Sequence, residues 1–341
     1  LTAPKDIPSV SVIIPAWNAA ETLSRAVRSA LNQEGVSVEV IVVDDASTDE
    51  TLICAERLAA ADNRVRVLRQ KNNQGPAAAR NLALDEARAP YVTPLDSDDF
   101  MEKGRLRALL AIAQETHWDF VADDLFKVPE SDIDGPRQRL ISDEPINELS
   151  IDFAGFVQGN LSSERGGRRE LGFIKPLISK TFLEQANLRY DESLRLGEDY
   201  ILYASALLSG ARFCLTDPCG YVAVMRPTSL SGQHSTRDLG ALVQGDLLLM
   251  ANPALKPKDR TALKAHYIET LKKWHWLRLI DAVKSRSPIE AIRCFYAPFP
   301  VIEELLRNLR EQFIIRCSAK CRSLFGRAAK VGSPGAKGGK S

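Results

Sequence analysis

The sequence contains no apolar run approaching the roughly 18 residues that a helix needs to cross a bilayer, and no basic segment followed by an apolar stretch near its start. Together these absences predict a cytoplasmic chain. Cysteine is scarce: Cys54, Cys214, Cys219, Cys294, Cys317 and Cys321 are scattered through 341 residues without a C-x-x-C pair. A chain this long builds a core without disulfide staples, so reduced thiols are expected, and Cys317 with Cys321 supplies too few ligands for a zinc site. Net charge is nearly absent as well, with 45 basic residues against 44 acidic ones, which leaves no global field to attract nucleic acid. Also missing are any internal repeat and, after the first apolar run, the G-x-G-x-x-G turn of a dinucleotide dehydrogenase; PAWNAAE stands there instead.

What is present is an alternation of two periods. Residues 10–15, 38–43, 65–68 and 91–95 are short apolar runs rich in β-branched side chains, the pattern of strands buried on both faces. Between them lie helical stripes, Leu23, Val27, Ala30 and Leu31, then Leu52, Ala55, Leu58 and Ala59. Strand alternating with helix predicts a parallel sheet. Asn18 with Glu21, and Ser47 with Glu50, have capping-box spacing, and Pro76 after Gly75 suits a glycine turn opening a helix. Residues 105–113 read as helix, 118–128 as one further strand, and 131–150, polar and poorly periodic, as a loop. Extended chain over 171–178 follows, then helices over 180–186 and 200–208 and a helical composition beyond Leu239.

In an open parallel sheet, ligands bind beyond the carboxyl ends of the strands. The residues placed there are Pro15, Ala16, Trp17 and Asn18; then Asp44 and Asp45; then Asn72, Asn73 and Gly75; then Asp96, Ser97, Asp98 and Asp99. Paired acids one residue apart at a strand end project toward a common point, where a hard divalent cation can be shared with a diphosphate. Carboxylates alone would repel that diphosphate, and the metal reverses the sign. A lone D-x-D is as ordinary as a solvated turn; four polar strand ends on one rim are not.

The segments VSVIIPAWNAAETL, VIVVDDASTDET, NNQGPAAARN and YVTPLDSDD, in that order, resemble the family 2 glycosyltransferases. The resemblance covers residues 9 to about 210. It implies an α/β GT-A (nucleotide-diphospho-sugar transferase) fold, a mostly parallel sheet flanked by helices, and a metal-dependent enzyme using Mn²⁺ or Mg²⁺ to transfer a sugar from a nucleotide diphosphate. By the family's motifs Pro15, Asn18 and Glu21 with Asp44 and Asp45 hold the nucleoside, one of the two acids bonding the uracil of a UDP-sugar. Asn73, Gly75, Arg80 and Asn81 match the motif near ribose and phosphate. Asp96 and Asp98, around Ser97, match the D-x-D, Asp98 for direct metal contact and Asp96 for ribose or metal. Each also has a structural reading: Asn18 and Glu21 as helix caps, Asp44 as a buried structural acid, Gly75 as a left-handed turn, Arg80 as an intrahelical ion pair.

Inverting transfer needs a base to take the proton of the attacking hydroxyl. The stretch LRLGEDYILY matches the family's Glu-Asp motif, which makes Asp199 the base and Glu198 its helper or an acceptor ligand; the alternative is that both acids only complement a helix dipole. MRPTSLSGQH carries Arg226, Ser229, Ser231 and His234, where relatives close a basic or hydroxyl-bearing segment over the diphosphate and some place a His on the metal. His266 and His275 read as packing residues. The Q-x-x-R-W motif of processive members is missing, so a single sugar is expected to move. More narrowly, residues 155–200 resemble glucosyltransferases of rhizobial succinoglycan-type exopolysaccharide assembly, implying UDP-glucose as donor and a lipid-diphosphate-linked oligosaccharide as acceptor.

The expected division is a catalytic domain over 1–238, with a nucleotide-sugar half (9–128) and an acceptor half (151–238), a helical region over 239–331, and a disordered Gly/Lys tail over 332–341. From Arg307 onward nine basic residues face the single acid Glu311. With Ile302, Leu305, Leu306, Leu309 and Phe313 at helical spacing, that segment suits either packing on the catalytic domain or peripheral contact with the cytoplasmic face of the inner membrane. Rival readings are a nucleotidyltransferase or retaining transferase, which leave the Glu-Asp helix unexplained, and a silent sugar-nucleotide-binding subunit, which leaves Asp98 and Asp199 without a use.

Overall fold

The structure is a computed structural model that describes residues 7–162, 170–226 and 234–331, with side chains to residue 315. The chain forms two compact units, Leu1–Glu269 and Thr270–Ser341.

The first unit opens with β1 (Val10–Ala16), α1 (Leu23–Leu31), β2 (Val38–Asp44), α2 (Thr51–Ala61), β3 (Val65–Arg69), α3 (Pro76–Glu86) and β4 (Tyr91–Pro94). β3, β2, β1 and β4 lie side by side and parallel, as the alternating pattern predicts. All seven residues of β2 are buried, including Glu39, whose carboxylate accepts from Ser11 and Arg88, so the strand reads as a nearly continuous apolar run. α1 buries Leu23, Ala26, Val27 and Ala30 against the sheet.

The chain continues through β5 (Phe100–Met101), α4 (Arg105–Thr116), β6 (Phe120–Asp123), β7 (Phe126–Pro129), β8 (Gln138–Arg139), β9 (Leu149–Ile151) and α5 (Phe153–Gly159). Then come β10 (Leu177–Ser179), α6 (Lys180–Gln185), α7 (Glu198–Leu208), β11 (Phe213–Thr216), β12 (Tyr221–Met225) and α8 (Thr236–Ala251). The main sheet runs β3-β2-β1-β4-β10-β6-β11-β9, with β10 and β9 antiparallel to their neighbours; β5-β12-β7-β8 form a second sheet.

Three expectations need correction here. The single strand over 118–128 is two strands in different sheets, because Asp123 and Asp124 interrupt it. Both acids are fully buried: Asp123 pairs with Arg105 at 2.7 Å, and Asp124 accepts the N–H groups of Leu140 and Ile141. The 131–150 excursion, expected as a loop, also carries two short strands, β8 paired with β7 and β9 with β11. Residues 171–178 are not all extended, since Leu171–Phe173 forms a 3₁₀ turn before β10. Neither capping box forms: α1 starts at Leu23 behind Thr22 and α2 starts at Thr51 behind Glu50, with no side-chain cap on either. Pro76 does open α3 behind Gly75.

α8 packs on α7 inside the first unit. α9 (Pro257–Lys284) carries the boundary between the units. In the second unit α10 (Pro288–Arg293) and α11 (Phe299–Val331) accompany the end of α9, and Leu279, Cys294 and Leu305 form a small core with Trp276, Ala291 and Phe295. The expected stripe divides: Leu305 is buried, while Leu306, Leu309 and Phe313 are exposed, as are Ile289, Ile292, Tyr296 and Phe299. No helix among the described residues is long and apolar enough to cross a membrane. Cys54, Cys214, Cys219 and Cys294 are free thiols; the side chains of Cys317 and Cys321, and the 332–341 tail, lie outside the described residues.

Candidate active site

The parallel run β2-β1-β4 brings the polar strand ends to one edge. At the end of β1, Asn18 adopts a positive φ of 49° and turns toward the β2–α2 loop, not toward α1. Its N–H donates to Ser47 Oγ at 3.0 Å, and its Oδ1 accepts from the Thr48 N–H at 2.9 Å. Trp17 stands half-exposed beside it. Glu21 is exposed and lines a shallow hollow with Arg25, Arg28 and Lys103.

The two acids after β2 do different things. Asp45 accepts the N–H groups of Gln74 (2.7 Å) and Gly75 (2.8 Å), so both its oxygens hold the β3–α3 loop; burial pushes its carboxyl up and these bonds oppose the rise. Asn73 donates to the Asp45 carbonyl, and Gly75 takes a φ of 91° to bring its N–H to the carboxylate. Asp44 is fully buried. Its Oδ1 accepts from the Ser47 N–H at 3.3 Å, while Oδ2 has no hydrogen-bond partner among the described residues. An ionised oxygen without a partner is costly inside a protein, so a donor N–H from a ligand fits there.

Beyond β4 the turn holds four polar residues. Asp99 is tied to the second sheet: its carboxylate accepts the Tyr221 hydroxyl and the Val224 N–H, each at 2.8 Å, and the Tyr221 oxygen accepts the Asp96 N–H at 3.2 Å. Burial, with Asp98 and Asp96 nearby, pushes the Asp99 carboxyl well above the usual range. The Asp98 carboxylate is about one-third exposed, with Arg226 at 3.9 Å, and burial and Asp96 push its carboxyl up too. Ser97 sits between them, partly exposed.

Asp96 faces inward, into a cluster of charges. Its Oδ1 accepts from Arg80 Nη2 at 2.8 Å and its Oδ2 lies 3.1 Å from Lys175 Nζ. Burial works against its ionisation, but the two cations prevail and hold the carboxyl down at about 2. Arg80 Nη1 donates to Glu198 Oε1 at 2.7 Å and lies 3.8 Å from Asp199 Oδ1, with the guanidinium over the Tyr190 ring. Lys175 Nζ donates to Asp199 Oδ2 at 2.7 Å. Burial lowers the Lys175 ammonium's affinity for its proton, yet Asp199 and Asp96 hold it well above the usual lysine range. Glu198 and Asp199 are the first residues of α7, after Gly197 at φ 76°. Asp199 Oδ1 is buried and makes no hydrogen bond among the described residues.

Arg80 is therefore not an intrahelical pair; it is buried and bridges Asp96 to the Glu-Asp helix. Lys175 has no place among the sequence-derived candidates. Its signal was a solitary lysine in the apolar run FIKPLIS, since a buried ammonium requires carboxylate partners. Arg226 also enters the site, its Nη2 buried without a hydrogen-bond partner among the described residues. His234 is exposed, just before Ser235, which caps α8; Ser229 and Ser231 lie outside the described residues. His266 is more than packing: its Nδ1 lies 2.9 Å from the fully buried Asp246, and its ring stacks on Tyr200. His275 bonds the Cys294 carbonyl.

Among the described residues no group of three or more His, Cys, Asp or Glu gathers to hold an ion alone. With both Asp96 oxygens engaged, Asp98 is the acid that fits a divalent cation, in the manner of Mg²⁺ held by one carboxylate and substrate phosphates.

The sequence pattern of Glycosyl transferase family 2 matches residues 11–171. The succinoglycan biosynthesis protein ExoU of Rhizobium meliloti is 44% identical over 264 residues, 77% of this chain and 75% of that protein. The chain belongs to glycosyl transferase family 2. ExoO of the same organism, another succinoglycan biosynthesis protein, is 33% identical over 90% of this chain and 89% of its own length. The fold matches S. aureus TarS 1-349 in complex with UDP-GlcNAc with a TM-score of 0.63 at 19% identity, over 88% of this chain and 92% of that one. The chain spans 43% of a longer TarS chain that it also matches. As a family 2 glycosyltransferase with a GT-A fold, the chain carries its Asp96–Asp98 turn and its Glu198–Asp199 helix start on one shared cluster of charges.

Proposed function

We propose that this glycosyltransferase moves a single glucose, with inversion, from UDP-glucose to a hydroxyl of a lipid-diphosphate-linked oligosaccharide in exopolysaccharide assembly of the succinoglycan type. The observation that carries the proposal is the Asp199 carboxylate: one oxygen is clamped by Lys175 and the other, buried, makes no hydrogen bond. A carboxylate held that way is ready to accept a hydroxyl hydrogen bond and then the proton. As the hydroxyl oxygen bonds to the anomeric carbon, its proton passes to Asp199 Oδ1 and the bond to the diphosphate breaks. Asp44 takes the uracil imide N–H, with Pro15 and Asn18 shaping that end of the rim. Arg226 meets the diphosphate, with His234 as a further candidate ligand there. Asp98 holds Mn²⁺ or Mg²⁺, which when bound offsets the charge gathering on the departing diphosphate.

The names of ExoU and ExoO support the assembly class, and the UDP-GlcNAc complex of TarS supports a UDP-sugar donor. Exposed Ile289, Ile292, Tyr296, Phe299 and Phe313, followed by a basic sequence, suit peripheral contact with the cytoplasmic face of the inner membrane, where a lipid-linked acceptor resides. The test is UDP release from a panel of UDP-sugars with Mn²⁺ or Mg²⁺, with and without membrane lipid extract. UDP-glucose should be consumed fastest, the extract should stimulate release, and EDTA should abolish it. Absence of cleavage and transfer with every donor and both ions would refute the proposal.

A further inference from the structure

We infer that Lys175 is the positioning residue of the base, an ammonium that selects which Asp199 oxygen receives the proton and ties the base to the donor side of the site. The inference rests on the reading of Asp199 as the base.

The segment before β10 fixes Lys175 from its backbone outward. Its carbonyl accepts from Arg105 Nη2 at 2.5 Å, and Arg105 is itself fully buried and paired with Asp123. The side chain is buried too, with the ammonium over the Phe173 ring at 5.3 Å. Water is not an alternative partner for an ammonium so enclosed. Its charge is met by Asp199 Oδ2 at 2.7 Å and Asp96 Oδ2 at 3.1 Å. Arg80 takes the other side of the cluster, bonding Asp96 Oδ1 and Glu198 Oε1 but stopping at 3.8 Å from Asp199 Oδ1, beyond hydrogen-bond reach.

The result is an asymmetric carboxylate. One oxygen is held by a cation that has no freedom to leave, and the other, buried, makes no hydrogen bond among the described residues and so has none to break before it can accept one. Without Lys175 the Asp199 side chain would be free to turn, and Arg80 would be the nearest cation to capture it. The same ammonium lies 3.1 Å from Asp96 Oδ2, but Arg80 holds Asp96 Oδ1 independently at 2.8 Å, so the donor-side acid keeps a partner when Lys175 is changed and the loss falls on the base.

A double-mutant cycle tests this, read as transfer kcat, donor KM and UDP affinity. Lys175→Met should lower kcat by about 10- to 100-fold, less than the roughly 100- to 10,000-fold of a whole positioned base because Asp199 itself remains, while donor KM and UDP affinity change less than about threefold. In an Asp199→Asn background the same substitution should change residual transfer less than about twofold, because the group Lys175 acts through is gone. Lys175→Arg, which keeps the charge, should recover part of the loss. Equal costs in the two backgrounds would overturn the inference and leave Asp199 standing; parental transfer by Asp199→Asn would remove the base reading itself. Should Lys175→Met alone not fold, the double variant, which removes both charges of the pair, and Lys175→Arg carry the cycle. A donor KM raised at least tenfold with unchanged kcat in Lys175→Arg would make Lys175 a donor ligand and overturn the assignment.

Discussion

Replacing Arg80 by methionine keeps much of the side chain's volume and removes the guanidinium that faces three carboxylates, Asp96, Glu198 and Asp199. Arg80 is 3% exposed, so water does not take its place. Stripping one partner from a buried ion pair costs about 3–5 kcal/mol. An independent gauge comes from Asp96, held at about 2 against an ordinary 3.8: after burial has worked against them, Lys175 and Arg80 leave a net stabilisation on the order of 2–3 kcal/mol. Arg80 supplies part of that and also meets Glu198 and Asp199, which accords with a loss of about 3 kcal/mol, or a fall in Tm of about 6–12 °C for a unit of this size. The loss depends on pH with a definite sign. A depressed carboxylate contributes stability that is present above its unfolded value and disappears as pH falls through its folded value, here between about 4 and about 2. Urea denaturation at pH 7 and at pH 3 should therefore show a large deficit for Arg80→Met at the first and a smaller one at the second. A deficit below about 1 kcal/mol at pH 7, or one of equal size at both, would refute the electrostatic account of this cluster.

Two further substitutions probe the supports of the site. Gly75→Ala should cost about 1–3 kcal/mol and raise donor KM, because a Cβ there meets nothing within 4 Å while φ stays at 91°, leaving backbone strain as the whole effect; urea melts and initial rates measure both. His266→Ala should cost about 1–3 kcal/mol by leaving the buried Asp246 with, among the described residues, only the Tyr200 hydroxyl at 3.3 Å, and a second change, Asp246→Leu, should return part of it. A loss below 1 kcal/mol would reduce His266 to a packing residue.

The strands were legible because their signal is local: β1, β2 and β4 are nearly solid apolar runs that declare burial on both faces. The rim followed from them, since parallel strands place their loops on one edge whatever the loops contain. The caps misled because Asn18 and Ser47 have the right chemistry at the right spacing for helix starts but bond each other's loop. The break at Asp123–Asp124 was hidden for a related reason. Two adjacent acids look like surface, and only their partners, Arg105, Leu140 and Ile141, explain their burial. Arg80 was placed in the correct motif with the wrong partners, because Glu198 and Asp199 reach it only through the fold. Lys175 failed to stand out since one lysine among Phe, Ile, Pro and Leu carries no spacing for a pattern to match.

The mutual bonding of Asn18 with Ser47 and Thr48 makes the first two rim loops a single inheritable part. A graft that exchanges the β1–α1 loop alone would leave the second loop without the Asn18 Oδ1 that accepts the Thr48 N–H, and would loosen the adjacent Ser47 N–H that meets the Asp44 Oδ1. On the proposed role of Asp44, donor-base preference would be a two-loop cassette. Exchange between relatives should succeed when residues 16–22 and 44–51 travel together, and fail when either goes alone.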